Sequence, residues 1–208
     1  VKDLLSFLDA SPVNFLAVKT LKERLAAAGF KEMDSTAPIG PIEPGDQLFF
    51  TKNDSSLYAV RIGRQTIADA GFHLICAHCD SPTFRIKPNP EMKKGGYTSL
   101  NTEVYGGPIW NTWLDRPLSV AGRVAVKSAE VFHPEIRLID VKRPLLTIPN
   151  LAIHMNREVN RGVALNKQID MIPLFGMGSG ESGEFLEFLA KELQITKSDI
   201  LDFELYVY

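Results

Sequence analysis

The apolar run from Phe72 to Ala77 breaks off at His78-Cys79-Asp80-Ser81-Pro82, and no other feature constrains the fold as strongly. A short apolar run bounded by polar and turn residues predicts a buried strand. Such a strand would deliver His78 and Asp80 to its C-terminal end, the edge of an α/β sheet where ligands bind. Residues two apart in an extended chain point the same way, so the two side chains would share a face. His78 can bind a metal through one ring nitrogen. Asp80 can orient that ring or lie close to a reacting water. By itself the H-x-D spacing is a weak signal, because a histidine at a strand end is more often structural.

Cys76-Ala77-His78-Cys79 also matches C-x-x-C. A redox pair normally opens a helix, whose dipole lowers the thiol pKa, and no apolar helix starts here. A structural zinc site needs a second Cys/His pair at short spacing, and these are the only two cysteines. The expectation is that Cys76 is a small buried hydrophobe and Cys79 incidental. Two cysteines also argue against a disulfide-stapled secreted fold.

The chain has 208 residues, 45% apolar and 23% charged, enough for a globular core. With 23 Lys+Arg against 25 Asp+Glu, nucleic acid is not an expected partner. No apolar run is long enough to span a bilayer, so no membrane association is expected. The opening residues show no basic stretch followed by an apolar run, which leaves the cytoplasm as the default compartment.

Residues 1–29 predict two helices. Val1, Leu4, Leu5 and Leu8 share a face. Ser11 reads as an N-cap with Pro12 at the first helical position, and Gly29 as a C-cap. Residues 47–51 and 57–62 predict paired strands around Lys52-Asn53-Asp54-Ser55. After residue 92 the texture changes. Lys93-Lys94-Gly95-Gly96 reads as a turn, and β-type segments follow at Thr102–Tyr105, Leu118–Ser128, Glu135–Asp140 and Leu151–His154. Residues 181–194 predict an amphipathic helix, and Asp202–Tyr208 alternates as a strand. The expected organisation is a first domain over 1–92, a mostly β domain over 93–200, and a strand at 201–208 returning to the first domain. The chain stops directly after that strand, which suggests a fragment.

Ala77-His78-Cys79-Asp80-Ser81-Pro82, continuing through Phe84-Arg85-Ile86-Lys87-Pro88, resembles the A-H-x-D-S-P…K-x-K-P signature of the M18 aspartyl aminopeptidases. Asn101-Thr102-Glu103-Val104-Tyr105-Gly106-Gly107, Trp113 to Arg123, Ile148 to Arg157 and Asn166-Lys167-Gln168 follow in that family's order. The likeness runs over essentially the whole chain. It implies an α/β fold: a partial zinc-peptidase (phosphorylase/hydrolase-like) domain with an inserted β-rich dimerisation domain. It implies release of N-terminal Asp or Glu from peptides at a site holding two zinc ions, in a homo-dimer and higher homo-oligomer. His78 would be a zinc ligand and Asp80 the carboxylate behind it. His154 would sit on a loop that reaches into the neighbouring subunit's site to contact substrate. Without the resemblance, His154 reads as a strand-end histidine at an interface.

The family's bridging aspartate, Glu-Glu pair, further aspartate and final histidine have no matching block here. Glu181, Glu184 and Glu187 read as solvated charges on the helix. Catalytic zinc normally needs three protein ligands, so the chain alone is expected to be inactive. The rival reading is a non-catalytic assembly module in which His78 and Asp80 are remnants. His73 and His133 have no motif around them. Asp115 and Arg116 read as a fold-holding ion pair or turn. Tyr105, Trp110 and Trp113 read as core or interface, and Arg85 and Lys87 as structural.

Overall fold

A computed structural model of the chain describes residues 1–178 and 183–208. They form two compact units, Val1–Ser81 and Pro82–Tyr208.

In the first unit, helix α1 (Lys2–Asp9) precedes α2 (Asn14–Ala27). The start of α2 differs from the expected Ser11 cap. Val13 is buried in extended conformation, φ −140°, so the helix begins only after it. The predicted stop at Gly29 holds. Gly29 takes φ +88°, and its N–H donates to the Ala26 carbonyl while Phe30 N–H donates to Leu25, both 3.0 Å. That pair of bonds satisfies the carbonyls a helix end leaves open. Phe15, Leu16, Ala17 and Val18 are buried, whereas α1 buries nothing, and Leu4, Leu5 and Leu8 stay more than half exposed.

Strands β1 (Lys31–Glu32), β2 (Gln47–Lys52) and β3 (Ser56–Arg61) make a three-stranded sheet, β1 parallel to β2 and β2 antiparallel to β3. Asn53 and Asp54 take φ 54° and 48° at the β2–β3 turn, a backbone that these short polar residues tolerate better than most. A short helix, α3 (Ile67–Ala70), follows. The expected buried strand at 72–77 is not formed. The segment has no ladder partner, and Phe72, Leu74 and Ile75 are 71%, 82% and 99% exposed. A strand buried on both faces needs neighbours at both edges and cover above and below, and these residues have neither among the described residues. Cys76, expected to be buried, is exposed for the same reason.

The second unit is a six-stranded antiparallel sheet covered by one helix. Its elements are β4 (Thr83–Lys94), β5 (Tyr97–Tyr105), β6 (Val120–Val126), β7 (Glu135–Asp140), β8 (Leu174–Met177), α4 (Glu184–Leu193) and β9 (Ile200–Val207). The strand order is β7-β6-β9-β4-β5-β8. Gly95 and Gly96, at φ 61° and 81°, form the predicted turn between β4 and β5. Position 93 therefore lies inside a hairpin, with Lys93 opposite Thr98, and the units part at Ser81/Pro82. The strand expected to return to the first domain lies between β6 and β4. Its apolar residues Leu205 and Val207 are fully buried with Phe84, Val120 and Val124. Leu151–His154 is not a strand: Leu151 and Ala152 have no regular structure, and a turn begins at Ile153. Pro149 carries no N–H, and the Asn150 side chain takes the Leu151 N–H at 2.8 Å, so the segment has little to offer a ladder.

The core sits between this sheet and α4, which contributes the fully buried Phe185 and Leu189. Glu91 of β4 anchors the helix: its carboxylate accepts from the N–H groups of Gly183 at 2.8 Å and Phe185 at 2.7 Å. Gly122 lets β6 approach β9, since a Cβ there would lie 2.1 Å from the Glu204 carbonyl oxygen. No helix among the described residues is long and apolar enough to cross a membrane.

Candidate metal centre

The chain after α3 runs without regular structure to Ser81 and brings His78 and Asp80 together. His78 Nδ1 lies 2.7 Å from the Asp80 main-chain oxygen and 3.2 Å from its Oδ1. Both partners are acceptors, so in a neutral ring the proton belongs on Nδ1, which donates, and Nε2 keeps its lone pair. This is the arrangement in which a main-chain carbonyl, with a carboxylate beside it, fixes tautomer and ring orientation for a metal on the other nitrogen. The His78 side chain is 80% exposed, so Nε2 is open to a cation and to further ligands. The donor set therefore fits one corner of a zinc site.

Cys79 does not add a thiolate. Partial burial, and then the Asp80 charge, push its thiol pKa upward. Both cysteines are free. Among the described residues, no group of three or more His, Cys, Asp or Glu side chains is placed to hold a metal ion.

His154 lies in the second unit, exposed in the turn that follows Asn150. That turn borders a cavity of about 650 Å³ whose lining includes Trp110, Leu114, Asn150, Asn156, Val159 and Leu165. Trp110 thus faces a cavity, while Trp113 packs edge-on to Phe84 at 5.1 Å and Tyr105 edge-on to Tyr206 at 5.4 Å. Asp115 acts as a turn residue, at φ 58°, with Oδ1 accepting from Asn150 N–H at 2.9 Å.

Other charges take structural roles. Arg85 lies 3.9 Å from Glu103, and Lys87 donates to Gln168 at 3.2 Å. Glu187 is near Lys197 at 3.6 Å, on the solvated side of α4. Glu184 is less free than expected: it accepts from the Thr98 hydroxyl at 2.9 Å and sits 3.9 Å from Lys93. Glu181 lies outside the described residues. His73 and His133 are exposed. Sequence reasoning missed Glu91, whose only signal was a carboxylate near the end of a strand; Asp115, read as a fold-holding ion pair or turn, is a turn residue.

A family model described as aminopeptidase I zinc metalloprotease (M18) matches residues 7–208. The chain is 47% identical over 210 residues to a probable M18 family aminopeptidase 2 of Clostridium novyi (strain NT), covering 99% of this chain and 48% of that protein. It thus spans about half the length of the curated relatives it matches. Among solved structures, the cryo-EM structure of the Ape4 and Nbr1 complex superposes with TM-score 0.91 at 36% identity, over 99% of this chain and 43% of that one. Chaetomium thermophilum mApe1 gives TM-score 0.86 at 29% identity, over 100% of this chain and 50% of that one.

Proposed function

The chain belongs to the M18 aminopeptidase family, and on that premise we propose that it is part of a zinc-dependent aminopeptidase releasing N-terminal Asp or Glu from peptides. The observation that carries the metal assignment is the exposed His78 ring, held through Nδ1 by Asp80 at 2.7 and 3.2 Å. His78 would hold zinc through Nε2. Asp80 would keep the proton on Nδ1 and raise the basicity of the ligating nitrogen. Zinc bound at such a site supplies an acidified water and polarises the scissile carbonyl. The site would hold two ions, as the resemblance implies.

The remaining ligands and the general base would come from polypeptide outside these 208 residues, which leaves this chain inactive alone. Support comes from the relatives, about twice as long, and from the apolar groups this chain leaves open at Leu4, Leu5, Leu8, Phe72, Leu74 and Ile75. The second unit would serve dimerisation within a cytoplasmic homo-oligomer. His154, with Leu151, Ile153 and Met155 exposed beside it, would enter a neighbouring subunit's site and contact substrate. The preference for acidic residues rests on the resemblance.

The test is hydrolysis of Asp-, Glu- and Leu-linked chromogenic amides by the full-length protein, with and without chelator. Activity confined to the acidic amides, abolished by chelator and restored by zinc, is the expected result. Chelator-insensitive hydrolysis would refute the metal assignment. Faster turnover of the Leu amide would refute the specificity alone.

A further inference from the structure

We infer that Asp115 is a positioning residue that fixes the turn carrying His154; this rests on the reading of His154 as a group that contacts substrate. Asp115 follows the 3-10 turn Trp110–Trp113 and takes φ 58°. Aspartate is one of the few residues with a Cβ that visit left-handed backbone, and such a conformation persists where its surroundings over-determine it. Here they do. The Asp115 N–H donates to the Ile148 carbonyl at 2.9 Å, and its Oδ1 accepts from the Asn150 N–H at 2.9 Å. Leu114 and Ile148 form a parallel bridge immediately before. Ile148-Pro149-Asn150 is thus gripped on both sides of a proline that has no N–H of its own.

The grip passes into the turn. Asn150 sets its own Oδ1 on the Leu151 N–H at 2.8 Å. Met155 and Asn156 N–H groups then close onto the Ala152 carbonyl at 2.8 and 3.2 Å. His154 sits exposed inside that closure, and its direction follows from how the chain leaves Asn150. Asn150 and Asn156 also wall the cavity with Trp110 and Leu114. Left-handed residue, clamp and turn therefore form one connected piece of the second unit. Glycine or asparagine would meet the backbone requirement at 115 with less strain. Aspartate adds an ionised acceptor, whose bond to a backbone N–H is the stronger kind.

The test uses the full-length enzyme and an Asp-linked chromogenic amide, with Asp115→Gly, Asp115→Asn, His154→Ala and the Asp115→Gly/His154→Ala double variant. Glycine relieves the backbone but removes the acceptor; asparagine keeps an acceptor oxygen. Asp115→Gly should lower kcat roughly 10- to 100-fold, as expected when a contacting group is misplaced by about 1 Å, with KM within about threefold. Asp115→Asn should stay within about threefold of wild type. In the His154→Ala background, Asp115→Gly should cost less than about twofold more, because both act through one group. If the glycine variant does not fold, Asn150→Ala tests the next link of the same chain, the Asn150 Oδ1 on the Leu151 N–H, with a kcat loss expected only when His154 is present; a loss independent of His154 overturns the inference. Unchanged kcat in Asp115→Gly, or equal losses with and without His154, overturns the inference. A wild-type kcat in His154→Ala defeats the reading beneath it, and with it any role of Asp115 through that histidine.

Discussion

Gly122 shows how one atom can set a sheet. Its missing Cβ is the space occupied by the Glu204 carbonyl, with Leu205 Cα 2.9 Å from the same point. Both neighbours are backbone, so neither can swing away. Gly122→Ala should destabilise the second unit by about 2 kcal/mol or more, the scale of overpacking in a rigid core. Urea unfolding checks it, and an unchanged midpoint would contradict the account. Arg143 and Glu192 give a second residue-scale expectation. Hydrogen bonding from the Arg143 guanidinium, 3.1 Å from Oε2, holds the Glu192 carboxyl below its ordinary 4.5. A depressed folded-state pKa means stability that is complete above the unfolded value and is lost as pH falls through the folded one. The stability difference between wild type and Glu192→Gln should therefore shrink as pH drops below about 4.5. Matched thermal melts across that range test it, and a difference independent of pH would count against the pairing. The His78–Asp80 contact was legible in sequence, since residues two apart can share a face; the spacing said little about a metal, and the resemblance carried that reading. Asp115 was legible only as a turn residue, because the partner that makes it more than that, Asn150, is 35 positions away.

At the scale of elements, turns were read well and strands without neighbours badly. Gly95-Gly96 and Asn53-Asp54 take the positive φ that their residue types favour. Phe72–Ala77 has the composition of a buried strand and no strand partner among the described residues. Its exposure follows from what surrounds it in this chain, which local sequence does not encode. Helix α4 was expected from its apolar spacing, while its N-terminal anchor was not, since Glu91 lies 92 residues before Gly183. Glu91→Ala should cost about 1 kcal/mol, the usual worth of a helix cap, and Glu91→Gln less, because one acceptor oxygen survives. Chemical denaturation of the variants decides it; equal stability of Glu91→Ala and wild type would rule out the cap.

For the whole molecule, the second unit buries a core of its own, and the first carries the His78–Asp80 pair and leaves Leu4, Leu5, Leu8, Phe72, Leu74 and Ile75 more than half exposed. The chain spans 48% of its Clostridium novyi relative, and among the described residues no group of three or more His, Cys, Asp or Glu is placed to hold a metal ion. The boundary between units was misplaced in sequence because β4 straddles the change in texture at residue 92, and a hairpin partner outweighs local composition. The most direct measurement is zinc binding by the full-length protein, compared among wild type, His78→Ala and Asp80→Asn by metal analysis after equilibrium dialysis. The account predicts that His78→Ala loses bound zinc and that Asp80→Asn binds it about 10- to 100-fold more weakly, as when a carboxylate behind a ligand histidine is neutralised. Undiminished zinc at unchanged affinity in His78→Ala would contradict it.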